Sequence, residues 1–278
     1  MRDTIDINSN DNALFITSQC NNRCVMCCQP PLLRNDLDGY FQKNMALIDS
    51  APRELRSLGI TGGEPTLLGD RLFELLRHVR TKLPETEIHL LTNGRAFADK
   101  EYARKLAECG EEKILLGVPL HADSAGDHDT ITQVKGSFEE TMLGLYNLGR
   151  YDIGIELRVV ITKMNYRRLP KLPDFIYRNL PFVEFISLMG LEYTGYTIKN
   201  REAVWIDPMD YQAELTQAVL ELRDWRMDVS IFNLPRCILP EDWKTQYLDI
   251  CRECAEQPEC CGLFATSRMQ SRGIKVIK

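Results

Sequence analysis

Residues 14 to 28 read Leu14-Phe15-Ile16-Thr17-Ser18-Gln19-Cys20-Asn21-Asn22-Arg23-Cys24-Val25-Met26-Cys27-Cys28. A short apolar run, Leu14 to Thr17, reads as a buried strand and leads straight into a group of cysteines. Working outward, a helix is expected over 43–58, and Gly59-Ile60-Thr61-Gly62-Gly63-Glu64-Pro65 reads as a strand end followed by a tight glycine turn. Leu72, Leu75, Leu76 and Val79 recur at helical spacing within 71–83. A strand over 87–92 stops at Asn93-Gly94, and a helix over 99–109 ends at Gly110. Strands are expected over 113–120, 152–162 and 183–189, with helices over 138–148, capped by Ser137, and 172–179. This alternation means parallel strands joined by crossover helices. Functional loops of such folds lie at the carboxyl ends of the strands. The cysteine loop, the Gly-Gly-Glu-Pro turn and Thr92-Asn93-Gly94 all fall there. After about residue 200 the rhythm is expected to stop, with one helix over 210–225 leading into a cysteine-rich tail. We therefore divide the chain into an alternating strand–helix unit over 1–200 and a C-terminal extension over 201–278.

The 278 residues are 44% apolar and 27% charged, ordinary values for a globular protein. No apolar run is long enough for a membrane span. The acidic start Met1-Arg2-Asp3-Thr4-Ile5-Asp6 lacks an apolar signal core, so a cytoplasmic location is expected and no membrane partner. A net charge of −6 supplies no overall field for nucleic acid, and none is expected as a partner. Ten cysteines stand out. In a reducing compartment, clustered cysteines hold metal more often than they form disulfides. Four lie between Cys20 and Cys28 and five between Cys237 and Cys261, while Cys109 stands alone on an apolar helix pattern and reads as core.

Cys20-x3-Cys24-x2-Cys27 puts three thiolates on one short loop. Three ligands can hold three corners of a 4Fe–4S cubane and leave the fourth iron open, which suits chemistry rather than electron storage. A structural zinc wants four ligands and suits this spacing less well. The cysteine spacing, followed by Gly62-Gly63-Glu64-Pro65 after the next strand, resembles the radical S-adenosylmethionine (radical SAM) superfamily. The usual aromatic residue before the third cysteine is Met26 here, and Cys28 falls outside the ligand spacing. The resemblance implies an α/β fold, a partial (β/α)6 TIM-like barrel with a small cysteine-rich C-terminal extension. It also implies that a 4Fe–4S cluster on Cys20, Cys24 and Cys27 chelates S-adenosylmethionine, whose reductive cleavage yields a 5′-deoxyadenosyl radical that abstracts a substrate hydrogen. By the same resemblance Gly62, Gly63 and Glu64 bind the methionine ammonium, Asn93 contacts the ribose and Arg158 pairs with the carboxylate. Glu156 lies two residues before Arg158, on the same strand face, and is a further candidate for binding the cofactor. Asn165 is a fainter candidate, and His121, at the end of a strand, is a candidate substrate contact.

Cys237, Cys251, Cys254 and Cys260, with Cys261 as a spare, could close a second site fully. Spacing alone leaves two metals open, an auxiliary 4Fe–4S cluster or a tetrahedral zinc. The run Cys-x2-Cys-x5-Cys resembles the SPASM or twitch extensions of peptide-modifying radical SAM enzymes. Gln19-Cys20-Asn21-Asn22, Cys27-Cys28-Gln29-Pro30-Pro31, Val118-Pro119-Leu120-His121, His128-Asp129, Gly136-Ser137-Phe138, Arg158-Val159-Val160 and Asp242-Trp243-Lys244 resemble the C-type His-Xaa-Ser system maturases. That resemblance implies a ribosomally made precursor peptide as substrate, a second radical SAM partner protein, and an external electron donor of flavodoxin or ferredoxin type. Two alternatives stand beside it: a radical SAM enzyme acting on a small molecule or nucleotide, and a non-enzymatic zinc protein. Trp205, Trp225 and Trp243 are expected to pack the tail onto the barrel.

Overall fold

A computed structural model of the chain describes residues 4–9, 12–235, 238 and 255. In chain order its elements are β1 (Ala13–Phe15), α1 (Leu37–Ser50), β2 (Ser57–Thr61), α2 (Asp70–Lys82), β3 (Glu87–Leu91), α3 (Lys100–Ala107), β4 (Ile114–Pro119), α4 (Ala125–Thr132) and α5 (Ser137–Gly149). They continue with β5 (Gly154–Val160), α6 (Leu172–Asn179), β6 (Phe185–Met189), α7 (Tyr196–Lys199), α8 (Arg201–Val204), α9 (Gln212–Asp224) and β7 (Asp228–Phe232). The strands form one seven-stranded sheet in the order β1-β2-β3-β4-β5-β6-β7, the α/β partial barrel read from the sequence. The β1–β2, β2–β3, β3–β4 and β6–β7 pairs are parallel. Among the described residues no helix is long and apolar enough to cross a membrane.

The chain divides into two compact units, the first comprising Met1–Arg23, Gln29–Pro119 and Gly136–Glu156, the second Cys24–Cys28, Leu120–Lys135 and Leu157–Lys278. In the first unit Leu58, Ile60, Ile88, Leu90, Ile114 and Leu116 alternate along their strands into the core. The α2 stripe of Leu72, Leu75, Leu76 and Val79 is buried, as its period requires. Cys109 is core, its Sγ 3.3 Å from the Lys105 carbonyl. In the second unit Ile186, Leu188, Ile231, Leu215 and Leu222 are buried. Trp205 packs there against Ile131, Leu191 and Val204, and Trp225 lies 4.7 Å from the Tyr177 ring. Trp243 lies outside the described residues.

Four expectations shift. Helix α1 ends at Ser50 rather than near residue 58, because Pro52 forces Ala51 into extended backbone (φ −70, ψ 143). Its expected last apolar positions, Leu55 and Leu58, belong instead to a loop and to β2. Ser137 does not cap α5: Gly136 does, in the left-handed region at φ 84, and Ser137 is fully buried in the first turn. Helix α4 went unread because its only apolar position past Ala125 is Ile131. The parallel rhythm also runs past residue 200, since α9 feeds β7 onto β6. The short stretch Asp228 to Phe232 sits too close to the tail cysteines to declare itself.

Helix α5 packs tightly on the turn that follows β3. A Cβ at Gly144 would lie 2.2 Å from the Gly94 carbonyl oxygen, whereas one at Gly39 in α1 would meet nothing within 4 Å. Urea denaturation should show Gly144→Ala destabilised by about 1–3 kcal/mol. Gly39→Ala should gain roughly 0.5–1 kcal/mol. Equal midpoints for the two variants would contradict this packing.

Candidate functional site

In the first unit the site starts from backbone bonds. The Gly63 N–H donates to the Thr17 carbonyl (2.7 Å) and the Glu64 N–H to the Gln19 carbonyl (2.8 Å). The glycines are required by this closeness. A Cβ on Gly63 would lie 1.9 Å from Gln19 O, and one on Gly62, at φ 146, 2.7 Å from Thr17 O. The expectation that these glycines make room for a ligand thus meets a nearer reason: they make room for the backbone that precedes Cys20.

Glu64 is fully buried. Its Oε1 accepts from Thr66 N–H (3.0 Å), Thr66 Oγ1 (2.7 Å) and Thr92 Oγ1 (2.7 Å), while Oε2 accepts from Asn93 N–H (2.7 Å). Burial pushes its carboxyl above the usual range, and these donors pull in the opposite direction. Oε1 is saturated, whereas Oε2 retains acceptor capacity that a bound ammonium would fill. Asn93 spends its side chain locally: Nδ2 donates to Asn21 Oδ1 (2.5 Å), and Oδ1 accepts from Arg95 N–H (3.0 Å). Arg95, which the sequence reading missed, donates to Asn21 O (2.9 Å) and Asn22 Oδ1 (2.7 Å) and pairs with Glu140 (2.6 Å). Its only sequence signal was its place just after Asn93-Gly94. Cys20 accepts from Asn22 N–H (3.3 Å), and burial followed by the Glu64 charge pushes its thiol up to about 11. A thiolate there is costly without a positive partner, which suits a ligand to iron. Glu156, almost wholly buried, places Oε2 2.7 Å from His89 Nε2, a charge contact when that ring is protonated. His89 was not singled out in the sequence.

In the second unit, the rest of the cysteine loop is tied down backbone atom by backbone atom. Val25 N–H donates to Ile131 O (3.0 Å), Asn200 Nδ2 to Val25 O (2.7 Å), Thr197 Oγ1 to Met26 O (3.2 Å) and Tyr196 N–H to Cys27 O (2.8 Å). A Cβ at Gly195, at φ 55, would lie 2.3 Å from Cys27 O. Met26 is buried against Ile131, Leu191 and Val204, with Cys24 packed alongside. Met26, which stands where the family usually has an aromatic residue, is therefore the apolar anchor of its loop. Cys27 N–H bonds back to Cys24 O (3.0 Å), which closes the turn between these two thiols.

His121 is buried just past β4, and among the described residues its Nδ1 has no hydrogen-bond partner. Its N–H donates to His128 Nδ1 (3.2 Å), and the two rings stack at 5.6 Å. Burial, then His128, holds its pKa down to about 3, so the ring is neutral. Asn165 donates to His121 O (2.8 Å) and Val160 O (2.9 Å) and accepts from Thr162, so it works as a clasp between strand ends. Arg158 reaches Met189 Sδ at 3.4 Å. Cys237, Cys251, Cys254, Cys260 and Cys261 lie outside the described residues. Among the described residues no three His, Cys, Asp or Glu side chains converge on one ion position. The thiolates of a cubane each bind a different iron and need no such convergence.

The sequence profile of the radical SAM superfamily matches residues 14–176. The Fe-coproporphyrin III synthase of Methanosarcina barkeri is 33% identical over 181 residues, 63% of this chain and 43% of that protein. A probable GTP 3′,8-cyclase of Thermococcus kodakarensis is 26% identical over 244 residues, 86% of this chain and 75% of that protein. In fold, the chain is similar to Streptococcus suis SuiB bound to S-adenosylmethionine, with a TM-score of 0.63 at 18% identity over 84% of this chain and 53% of that one. The chain thus spans about half the length of the first of these relatives and of SuiB. The profile match covers more than half of the chain and includes both the three-cysteine loop and the Gly-Gly-Glu-Pro turn, and on that ground the chain belongs to the radical SAM superfamily.

Proposed function

We propose that this radical SAM enzyme binds a 4Fe–4S cluster through Cys20, Cys24 and Cys27, holds S-adenosylmethionine on Gly62, Gly63 and Glu64, and acts on a ribosomally made peptide. The observation that carries the cofactor part is the buried Glu64 carboxylate, which keeps acceptor capacity on Oε2 and sits on a loop bonded to Thr17 and Gln19, just before Cys20. When bound, the cluster supplies the electron that splits the sulfonium and so generates a 5′-deoxyadenosyl radical for hydrogen abstraction. The chain's own residues orient and protect. Glu64 meets the methionine ammonium, Arg158 its carboxylate, and Asn93, fixed by Asn21 and Arg95, borders the ribose. Glu156 holds the charge of its strand face through His89. His121 offers a neutral ring whose Nδ1 can hydrogen-bond a substrate without bringing charge. The tail cysteines Cys237, Cys251, Cys254 and Cys260 hold the second, auxiliary cluster.

The peptide reading rests on the tail's Cys-x2-Cys-x5-Cys run and on the fold shared with SuiB, which has been captured with its precursor peptide SuiA. A nucleotide reading has one specific observation in its favour, the likeness to GTP 3′,8-cyclases along most of the chain. The two separate by label transfer. If a short precursor peptide is encoded beside its gene, the chain reconstituted anaerobically with that peptide in deuterated form should yield deuterated 5′-deoxyadenosine. Consumption of GTP, with no deuterium transferred, would establish the second reading instead.

Cys24→Ala should reduce 5′-deoxyadenosine formation to background, and retained cleavage would contradict the ligand assignment. His121 gives a prediction that needs no cofactor. Folded, it stays neutral down to about pH 3; unfolded, it takes a proton near 6.5. The unfolded state then binds more protons, so stability falls as pH drops below about 6.5, by up to ~1.4 kcal/mol per unit. His121→Asn should remove that share of the slope in urea titrations between pH 7 and 5. An unchanged slope would show the ring to be charged or exposed.

A further inference from the structure

Arg95 opens the short turn Arg95–Ala98 that follows β3, and helix α5 holds that turn still. Thr141 Oγ1 donates to Asn93 O (3.1 Å), and Asn147 Nδ2 donates to Phe97 O (2.9 Å) and Ala98 O (3.0 Å). The two sides of the guanidinium meet different partners. Nε donates to Glu140 Oε2 on α5 (2.6 Å), while Nη1 donates to Asn21 O (2.9 Å) and Asn22 Oδ1 (2.7 Å). The cation therefore lies between an acidic side chain and the two residues that follow Cys20. The Arg95 side chain is 13% exposed and that of Glu140 49%, so the cation is fixed against the loop while its counter-ion stands half in water.

This arrangement bears directly on Cys20. Asn22, whose side chain Arg95 holds, donates its own N–H to Cys20 Sγ (3.3 Å). Hydrogen bonds to a ligand sulfur and the charge nearby are two of the levers that set the potential of an iron–sulfur cluster. The Arg95 charge is itself felt at Cys20, where burial and the Glu64 carboxylate act in the opposite direction. A fixed positive charge favours the reduced cluster, which carries one more electron. Glu140 offsets part of that charge, but only part: it contacts the far side of the guanidinium, and water screens it more.

We propose that Arg95 raises the reduction potential of a cluster bound through Cys20, and that Glu140 holds this effect in check. The proposal rests on the cluster assignment above. Arg95 is in this role a positioning residue, which acts through Asn22 and through its charge. Reduction adds one electron to the cluster, and no bond forms or breaks at that step. The same electron must then pass to the sulfonium. A potential set too low hinders reduction, and one set too high weakens the reduced cluster as a donor. A buried cation with a half-exposed counter-ion sets a value between these limits.

The test is a redox titration of the anaerobically reconstituted full chain, followed by the paramagnetic resonance of the reduced cluster, with iron and sulfide measured on each sample. Arg95→Gln should lower the equilibrium constant for one-electron reduction roughly tenfold, a fall in midpoint of about 59 mV. Glu140→Gln should shift the midpoint the other way, by roughly threefold in that constant. Arg95→Lys, which keeps the charge, should stay closer to wild type than Arg95→Gln. The opposite signs are decisive. If Arg95 only braced the loop, loss of Glu140 would loosen the same brace and move the midpoint in the same direction as loss of Arg95. Shifts of one sign, or unchanged midpoints in fully loaded chains, would overturn the proposal. Should Arg95→Gln fail to take up iron, the exposed Glu140→Gln decides alone: a raised midpoint supports the proposal and any other result overturns it. A wild-type chain that binds no cluster would instead overturn the assignment on which the proposal rests.

Discussion

Two backbone hydrogen bonds, Gly63 N–H to Thr17 O and Glu64 N–H to Gln19 O, set the terms for the rest of the first unit. They bring the loop after β2 against the chain after β1 at a separation only glycine tolerates. They also commit a carboxylate to the interior. A buried ionised carboxylate is costly unless surrounded by donors, and the donors here come from Thr66, Thr92 and Asn93. Asn93 then extends the network to Asn21, and Arg95 to Asn21 and Asn22. The residues between Cys20 and Arg23 are thus positioned by the same network that fixes Glu64.

The second half of the cysteine loop solves the same problem by other means. Residues 25 to 27 form no regular element, so their carbonyls need partners. These come from Asn200, Thr197 and Tyr196, while Met26 contributes an apolar side chain to the core of its unit. Each half is held by hydrogen bonds from its own unit.

The strand–helix alternation and both motifs were legible because they depend on local signals: apolar period, glycine turns and cysteine spacing. The β2 loop and the α2 stripe read directly. What stayed hidden was non-local. Arg95, His89 and the Gly195–Asn200 segment matter through partners far away in sequence, and nothing in their own neighbourhoods announces this. Helix α4 lacks an apolar stripe, so it produced no period to read. Glu156 shows the limit of face arguments. Alternation says only that it is two residues from Arg158 on one strand, and the structure adds that its carboxylate lies 2.7 Å from His89 Nε2.

The central claim is an iron left open by the protein for the amino group of S-adenosylmethionine, with the Glu64 carboxylate set to accept hydrogen bonds from that same group. Electron–nuclear double resonance on the reduced, reconstituted chain tests it most directly, with S-adenosylmethionine carrying ¹⁵N at its methionine amino group. The account predicts a resolved ¹⁵N coupling to the cluster, present in the wild type and lost in Cys24→Ala. A reduced cluster that shows no nitrogen coupling at saturating S-adenosylmethionine would contradict it.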